Sequence, residues 1–123
     1  MTATWTPEDL DAIAAADEID IAPRRADGTL RRATTIWIVR VGDDLYVRSF
    51  RGPEGGWYRA ARRTHEGRLR AGAVERDVTF DEDHDADRTA VDDAYRAKYG
   101  RSSYVDAMVA PDVATTTLRL APR

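Results

Sequence analysis

Apolar positions along the chain recur at two different periods, and the changes between them mark out the elements. Leu10, Ile13 and Ala14 stand at i, i+3 and i+4 behind Thr6, Pro7, Glu8 and Asp9. A hydroxyl at the N-cap, proline at the first helical position and acids in the first turn predict a helix from Thr6 to about Ala16. Ile19 and Ile21 then alternate within Glu18 to Ala22, as in a short strand, and Pro23 to Thr29 reads as a loop turning at Asp27-Gly28. From Thr34 to Val41, Ile36 and Ile38 occupy one face while Trp37, Val39 and Val41 occupy the other. With both faces apolar, a central strand is expected. Gly42-Asp43-Asp44 turns the chain into a second strand, Leu45 to Phe50, with Leu45 and Val47 on one face and Tyr46, Arg48 and Phe50 on the other.

Arg51 to Gly56 is a turn-rich connection, and Trp57 to Arg63 suits a short helix with Trp57, Ala60 and Ala61 inward. Gly67 to Ala71 and Val74 to Phe80 form a hairpin around Gly72. Asp85 or Asp87 can cap a helix carrying Val91, Ala94, Tyr95 and Tyr99, with Gly100 at its end. Tyr104, Val105, Met108 and Val109 suit a short helical turn before Pro111, and Thr115 to Leu120 is the closing strand. The order lacks regular βαβ alternation and internal repeats, so the class is α+β with a mostly antiparallel sheet. Six strands in so short a chain favour a barrel with flanking helices.

Length adds that residues 1–123 are one domain, since 13.8 kDa suffices for one apolar core and not for two. The absence of Cys excludes disulfide scaffolds, thiolate metal sites and thiol nucleophiles. No apolar run reaches the ~20 residues of a membrane span and no basic leader opens the chain, so a cytoplasmic protein without membrane partners is expected. The net charge of −3 argues against nucleic-acid binding but hides segregation: residues 1–21 carry −6, residues 22–76 carry +7 and residues 77–123 carry −4. The basic middle suits an anionic ligand such as a phosphate, which guanidinium groups grip bidentately. A general preference for Arg competes with that reading, because eighteen Arg accompany a single Lys, Lys98, and no Asn or Gln.

Gly28-Thr29-Leu30-Arg31-Arg32 running on to Arg40, Gly42-Asp43-Asp44-Leu45-Tyr46-Val47-Arg48-Ser49 and Gly56-Trp57-Tyr58-Arg59 carry a likeness. So do the Gly67–Gly72 hairpin and Ala94-Tyr95-Arg96-Ala97-Lys98-Tyr99. Together they resemble a small bacterial family of unknown function, over roughly residues 20–121, within the FMN-binding split-barrel group that includes the deazaflavin-dependent nitroreductases. The resemblance implies a split antiparallel β-barrel, and FMN or a deazaflavin coenzyme with its phosphate held by basic and hydroxyl residues. Carried across position by position, the basic loop falls on Arg24 and Arg25. The strand end falls on Arg48 and Ser49, and the following turn on Gly55, Gly56, Trp57 and Tyr58. The nitroreductase phosphate loop Gly-Arg-Lys-Ser-Gly is here Pro23-Arg24-Arg25-Ala26-Asp27-Gly28, without the lysine, the hydroxyl and the first glycine. A chain that binds no cofactor is therefore also consistent with the sequence.

Taken on their own chemistry, Arg48 and Ser49 beside a Gly-rich turn supply a fork donor, a hydroxyl and exposed backbone N–H groups to an anion. The competing role for Arg48 is pairing with a nearby carboxylate. Trp57 and Tyr58 can border a ring or serve as core anchors. The run Asp81-Glu82-Asp83-His84-Asp85-Ala86-Asp87 lacks the glycine and closing glutamate of a calcium loop, so no metal site is expected. No catalytic residue is assigned, because His65 and His84 have no nucleophile at recognisable spacing. Two functions remain: an oxidoreductase passing hydride from flavin or deazaflavin to an electron-poor or quinone-like small molecule, and a non-catalytic small-ligand binding domain. A homodimer is expected because a chain this small has difficulty enclosing a ligand alone.

Overall fold

The computed structural model describes residues 4–123. Helix α1 (Pro7–Ala15) starts where the sequence places it, with the Thr6 hydroxyl accepting from the Asp9 N–H at 3.2 Å. Strands β1 (Ile19–Pro23), β2 (Thr34–Ile36), β3 (Val39–Val41) and β4 (Asp44–Val47) follow. A 3-10 turn (Gly52–Glu54) then leads into α2 (Gly56–Thr64) and the hairpin β5 (Glu66–Ala71) and β6 (Val74–Asp81). Helices α3 (Arg88–Tyr99), α4 (Val105–Met108) and α5 (Pro111–Ala114) precede β7 (Leu118–Pro122). All seven strands join one antiparallel sheet in the order β2-β1-β5-β6-β7-β4-β3. The split-barrel class is thus observed. Asp87, of the two candidates, caps α3 by accepting from the Thr89 N–H at 3.0 Å.

The expected central strand from Thr34 to Val41 is instead two three-residue strands at opposite edges of the sheet, separated only by Trp37 and Ile38. Laid flat, seven strands at ~4.8 Å spacing would hold their edges about 29 Å apart. The chain from Ile36 to Val39 spans at most about 11 Å. The sheet therefore has to curl until its edges meet across this link. Ile38 points into the curl, with Leu45, Val47, Leu69, Val78, Phe80, Leu118 and Leu120, and α1 and α2 contribute Leu10, Ile13, Tyr58 and Ala61 to that core. Val39 and Tyr46 face outward against Val91, Tyr95, Tyr99, Val105 and Met108 of α3 and α4. The indole of Trp5 donates to the carbonyl of Leu120 at 2.9 Å, tying the start of the chain to its last strand.

Leaving the ladder costs Ile38 its strand partners, and α3 replaces them. The Tyr99 hydroxyl accepts from the Ile38 N–H at 3.2 Å and donates to the Asp17 carbonyl at 2.7 Å, while Lys98 Nζ donates to the Ile38 carbonyl at 2.8 Å. The ring of Tyr99 also stacks on Trp37, with centroids 3.9 Å apart. Burial pushes the Tyr99 hydroxyl up to about 12 and pulls Lys98 below its usual range. Tyr99→Phe keeps the stack but strands a buried N–H, so it should lower stability by about 1 to 3 kcal/mol in urea unfolding. An unchanged midpoint would mean that Ile38 does not depend on this hydroxyl.

Candidate functional site

Arg48 and Ser49 leave β4 just past its pairing of Val47 with Leu118, opposite three consecutive threonines. Thr115, Thr116 and Thr117 each donate their hydroxyl hydrogen to the carbonyl three residues back, at 2.6, 2.6 and 2.7 Å. Their lone pairs remain free to accept. Thr116 takes the Ser49 N–H at 2.8 Å, and Thr117 takes Arg48 Nε at 2.9 Å. Arg48 Nη1 donates to Asp92 of α3 at 2.5 Å and to the Met108 carbonyl at 3.0 Å, with the guanidinium lying over the Tyr95 ring. Both residues are 1% exposed. Arg48 Nη2 and Ser49 Oγ nevertheless have no hydrogen-bond partner among the described residues. Buried donors are rarely left so. The Tyr95 hydroxyl, near the backbone of Arg48, is a third such atom, and burial drives its pKa upward.

Arg48 and Ser49 line a cavity of about 630 Å³, within the ~300 to 1,000 Å³ of small-molecule sites. One wall is Thr34 to Trp37, carried there by the strand break. The other is Phe50, Arg51, Gly55, Gly56 and Trp57, and Tyr104 and Met108 complete it. Gly55 presses on Ser49 so closely that a Cβ there would meet the hydroxyl oxygen, whereas a Cβ on Gly56 would enter open space. Gly55 also caps α2 without a side chain, and the first backbone bond it accepts comes from Arg59 at 3.0 Å. The N–H groups of Gly56, Trp57 and Tyr58 therefore have no partner within the helix. Such an end carries partial positive charge and suits an anion.

Of the residues expected from sequence, Arg48, Ser49, Gly55, Gly56 and Trp57 line this one cavity. Tyr58 does not: its ring is buried in the core, and it borders a separate cavity of about 210 Å³ with His84. Arg24 and Arg25 are not on the lining either. Arg24 pairs with Asp77 at 3.0 Å and donates to the Gly28 carbonyl, and Arg25 donates to the Leu30 carbonyl at 2.9 Å. These two arginines brace their own loop and the neighbouring β6. Arg68, then Arg24, hold the Asp77 carboxyl below the usual range. The carboxylate role weighed for Arg48 is present as well, through Asp92, and leaves one nitrogen over. Sequence reasoning did not find Thr34 to Trp37, Phe50, Arg51, Tyr104 and Met108, nor the threonine clamp. The run Thr115-Thr116-Thr117 was the visible signal for the clamp.

Among the described residues no helix is long and apolar enough to cross a membrane, and no cluster of three metal-ligating side chains forms. Solved structures share the whole fold at low identity. An FAD-binding protein from Mesorhizobium loti is 14% identical, with a TM-score of 0.58 over 98% of this chain and 90% of that one. An F420 reductase is 16% identical, with a TM-score of 0.54 over 96% of each chain. An FAD- and heme-binding protein from Mycobacterium smegmatis is 19% identical, with a TM-score of 0.50 over 98% and 67%. No curated protein matches the sequence. A family model described as an uncharacterized protein conserved in bacteria (DUF2255) matches residues 9–120, which covers β1 to β6, the start of β7, the cavity and its threonine clamp. The chain belongs to the DUF2255 family.

Proposed function

We propose that the cavity holds a flavin-type cofactor, flavin or deazaflavin, and that the protein is a reductase of electron-poor or quinone-like small molecules. The observation that carries this reading is a cavity that has the exposed cation Arg51 on its lining and receives the N-terminus of α2, with two buried donors, Arg48 Nη2 and Ser49 Oγ, unpartnered within its wall. Arg51 and the free N–H groups of α2 fit a phosphate, and Trp37, Ile36, Trp57 and Met108 fit the apolar faces of a ring. The names of the similar structures, FAD-binding and F420 reductase, support the same class of cofactor. Hydride transfer is the chemistry such a cofactor supplies when bound.

This chain binds and orients. Arg48 is fixed at Nε by Thr117 and at Nη1 by Asp92, which holds the wall behind the site rigid. The indoles of Trp37 and Trp57 exclude water from the ring's place, and Phe50 packs edge-on against Tyr104 at the rim, with centroids 5.7 Å apart. Among the described residues no His, Asp or Glu lines the cavity, and the Tyr104 hydroxyl is its one titratable group besides arginine. That observation favours a second reading, a non-catalytic ligand-binding domain. Turnover of a nitro or quinone acceptor by the loaded protein separates the two.

Phe50 and Tyr104 are 51% and 61% exposed, large apolar surfaces beside the cavity, and we extend the reading to a homodimer that covers them. Light scattering at micromolar concentration should give twice 13.8 kDa, and a monomer mass would refute the dimer. Titration with FMN, FAD and coenzyme F420, followed by fluorescence, tests the site. Ser49→Ala removes a donor that nothing in the fold uses and should weaken binding about tenfold or more at unchanged stability. Gly56→Ala should hold or raise the unfolding midpoint, since its methyl meets nothing within 4 Å, yet block the anion. Arg48→Ala is a poorer probe, because stranding Asp92 should cost about 3 kcal/mol of stability. Cofactor binding indifferent to both the Ser49 and Gly56 changes would show that the phosphate lies elsewhere.

A further inference from the structure

Two indoles line the cavity from opposite walls, Trp37 from the link between β2 and β3 and Trp57 from the first turn of α2. They are held differently. The ring of Tyr99 lies against Trp37 with the two planes 2° from parallel and the centroids 3.9 Å apart, so one face of that indole is covered from α3. What half-buried Trp37 gives the cavity is therefore its opposite face and its edge. Tyr99 is itself anchored, because its hydroxyl accepts from the Ile38 N–H and donates to the Asp17 carbonyl. Trp57 is not stacked. It meets Tyr58 edge-on, with the planes at 88° and the centroids 6.2 Å apart.

From this arrangement we infer that Trp37, backed by Tyr99, is the platform on which the cofactor's flat ring rests, and that it favours the oxidised ring over the reduced one. The inference rests on the cofactor reading above. With the phosphate at Arg51 and the α2 N-terminus, the ring reaches back across the cavity to the facing wall, where Trp37 stands. An indole stacked on a phenol presents a face rich in π-electron density, and such a face attracts a ring that is short of electrons. The oxidised ring of a flavin or deazaflavin is short of electrons, and the hydride it accepts on reduction makes it electron-rich. The attraction therefore belongs mainly to the oxidised state. The strength of one aromatic pair corresponds to about two- to tenfold in affinity. Its consequence is a lower reduction potential for the bound cofactor, which makes the reduced form a stronger hydride donor to an electron-poor acceptor.

The test measures the affinity of the full chain for both redox states of whichever of FMN, FAD and coenzyme F420 it binds best, the reduced state being prepared anaerobically. Trp37→Leu should weaken the oxidised form about two- to tenfold more than the reduced one. At the upper end that raises the bound potential by about 30 mV for a two-electron couple. The variant should also lose the long-wavelength charge-transfer absorption that a stacked indole gives the oxidised complex. Arg51 and the α2 N-terminus act alike on wild type and variant, so the change in ratio belongs to the indole. Trp57→Leu should weaken both states to the same degree, as would any residue that merely fills space. An unchanged ratio in Trp37→Leu, or a ratio that moves with Trp57→Leu instead, overturns the inference and leaves the cofactor reading intact. If Trp37→Leu does not fold, the absorption band decides: it should be present in the wild-type complex and survive Trp57→Leu, and its absence from either overturns the inference. Binding of none of the three cofactors to the wild-type chain overturns both readings.

Discussion

The two-residue link between β2 and β3 is the constraint on which the rest of this molecule depends. Because Ile36 and Val39 belong to opposite edges of one sheet, the sheet has no flat solution, and its inner face becomes a closed core. The same link carries Thr34 to Trp37 across from the segment after β4, and the space between them is the cavity. A backbone that leaves its ladder must find other partners. Tyr99 and Lys98 provide them to Ile38, which makes α3 a structural part of the closure as well as a cover for the outer core.

Helix α3 serves the site through a second residue. Asp92 lies seven positions before Tyr99, two turns along the same helix, and meets Arg48 where β4 ends. One helix thus fixes both the seam of the barrel and the Arg48 guanidinium. The threonine run secures the guanidinium from the other direction. Each hydroxyl hydrogen is spent on the carbonyl of its own turn, so at Thr116 and Thr117 only acceptor capacity faces β4, matching the donors that Arg48 and Ser49 present. What remains unmatched is Arg48 Nη2 and Ser49 Oγ.

Much of this was legible in the sequence, and the parts that were not have definite reasons. The capped start of α1, the β5–β6 hairpin around Gly72 and the opposite faces of Leu45 and Tyr46 follow from local chemistry and period. The break after Ile36 did not show, because side chains go on alternating through it: Ile38 faces inward and Val39 outward just as in an unbroken strand. Only the backbone partners change, and periodicity carries no record of them. Arg48, Ser49, Gly55 and Gly56 share a neighbourhood in sequence and in space, so their grouping could be anticipated. Arg24 and Arg25 could not be resolved that way, since whether an arginine faces a ligand or its own loop turns on partners such as Asp77, 53 positions away. Asp92, 44 positions from Arg48, escaped for the same reason.

The position of β7 bears on how the chain reaches this state. Last in sequence, it lies between β6 and β4, pairing Leu120 with Leu45 on one side and with Phe80 on the other, and it receives the Trp5 indole. The β3–β4 and β5–β6 hairpins close over short loops and can form early, on the microsecond scale of such turns. Neither can join the other until Leu118–Pro122 inserts between them, across loops long enough to make the search slow. Until that insertion the inner faces of both hairpins and two unsatisfied strand edges stand open to solvent. A chain that has yet to place its final strand is therefore the form most exposed to aggregation.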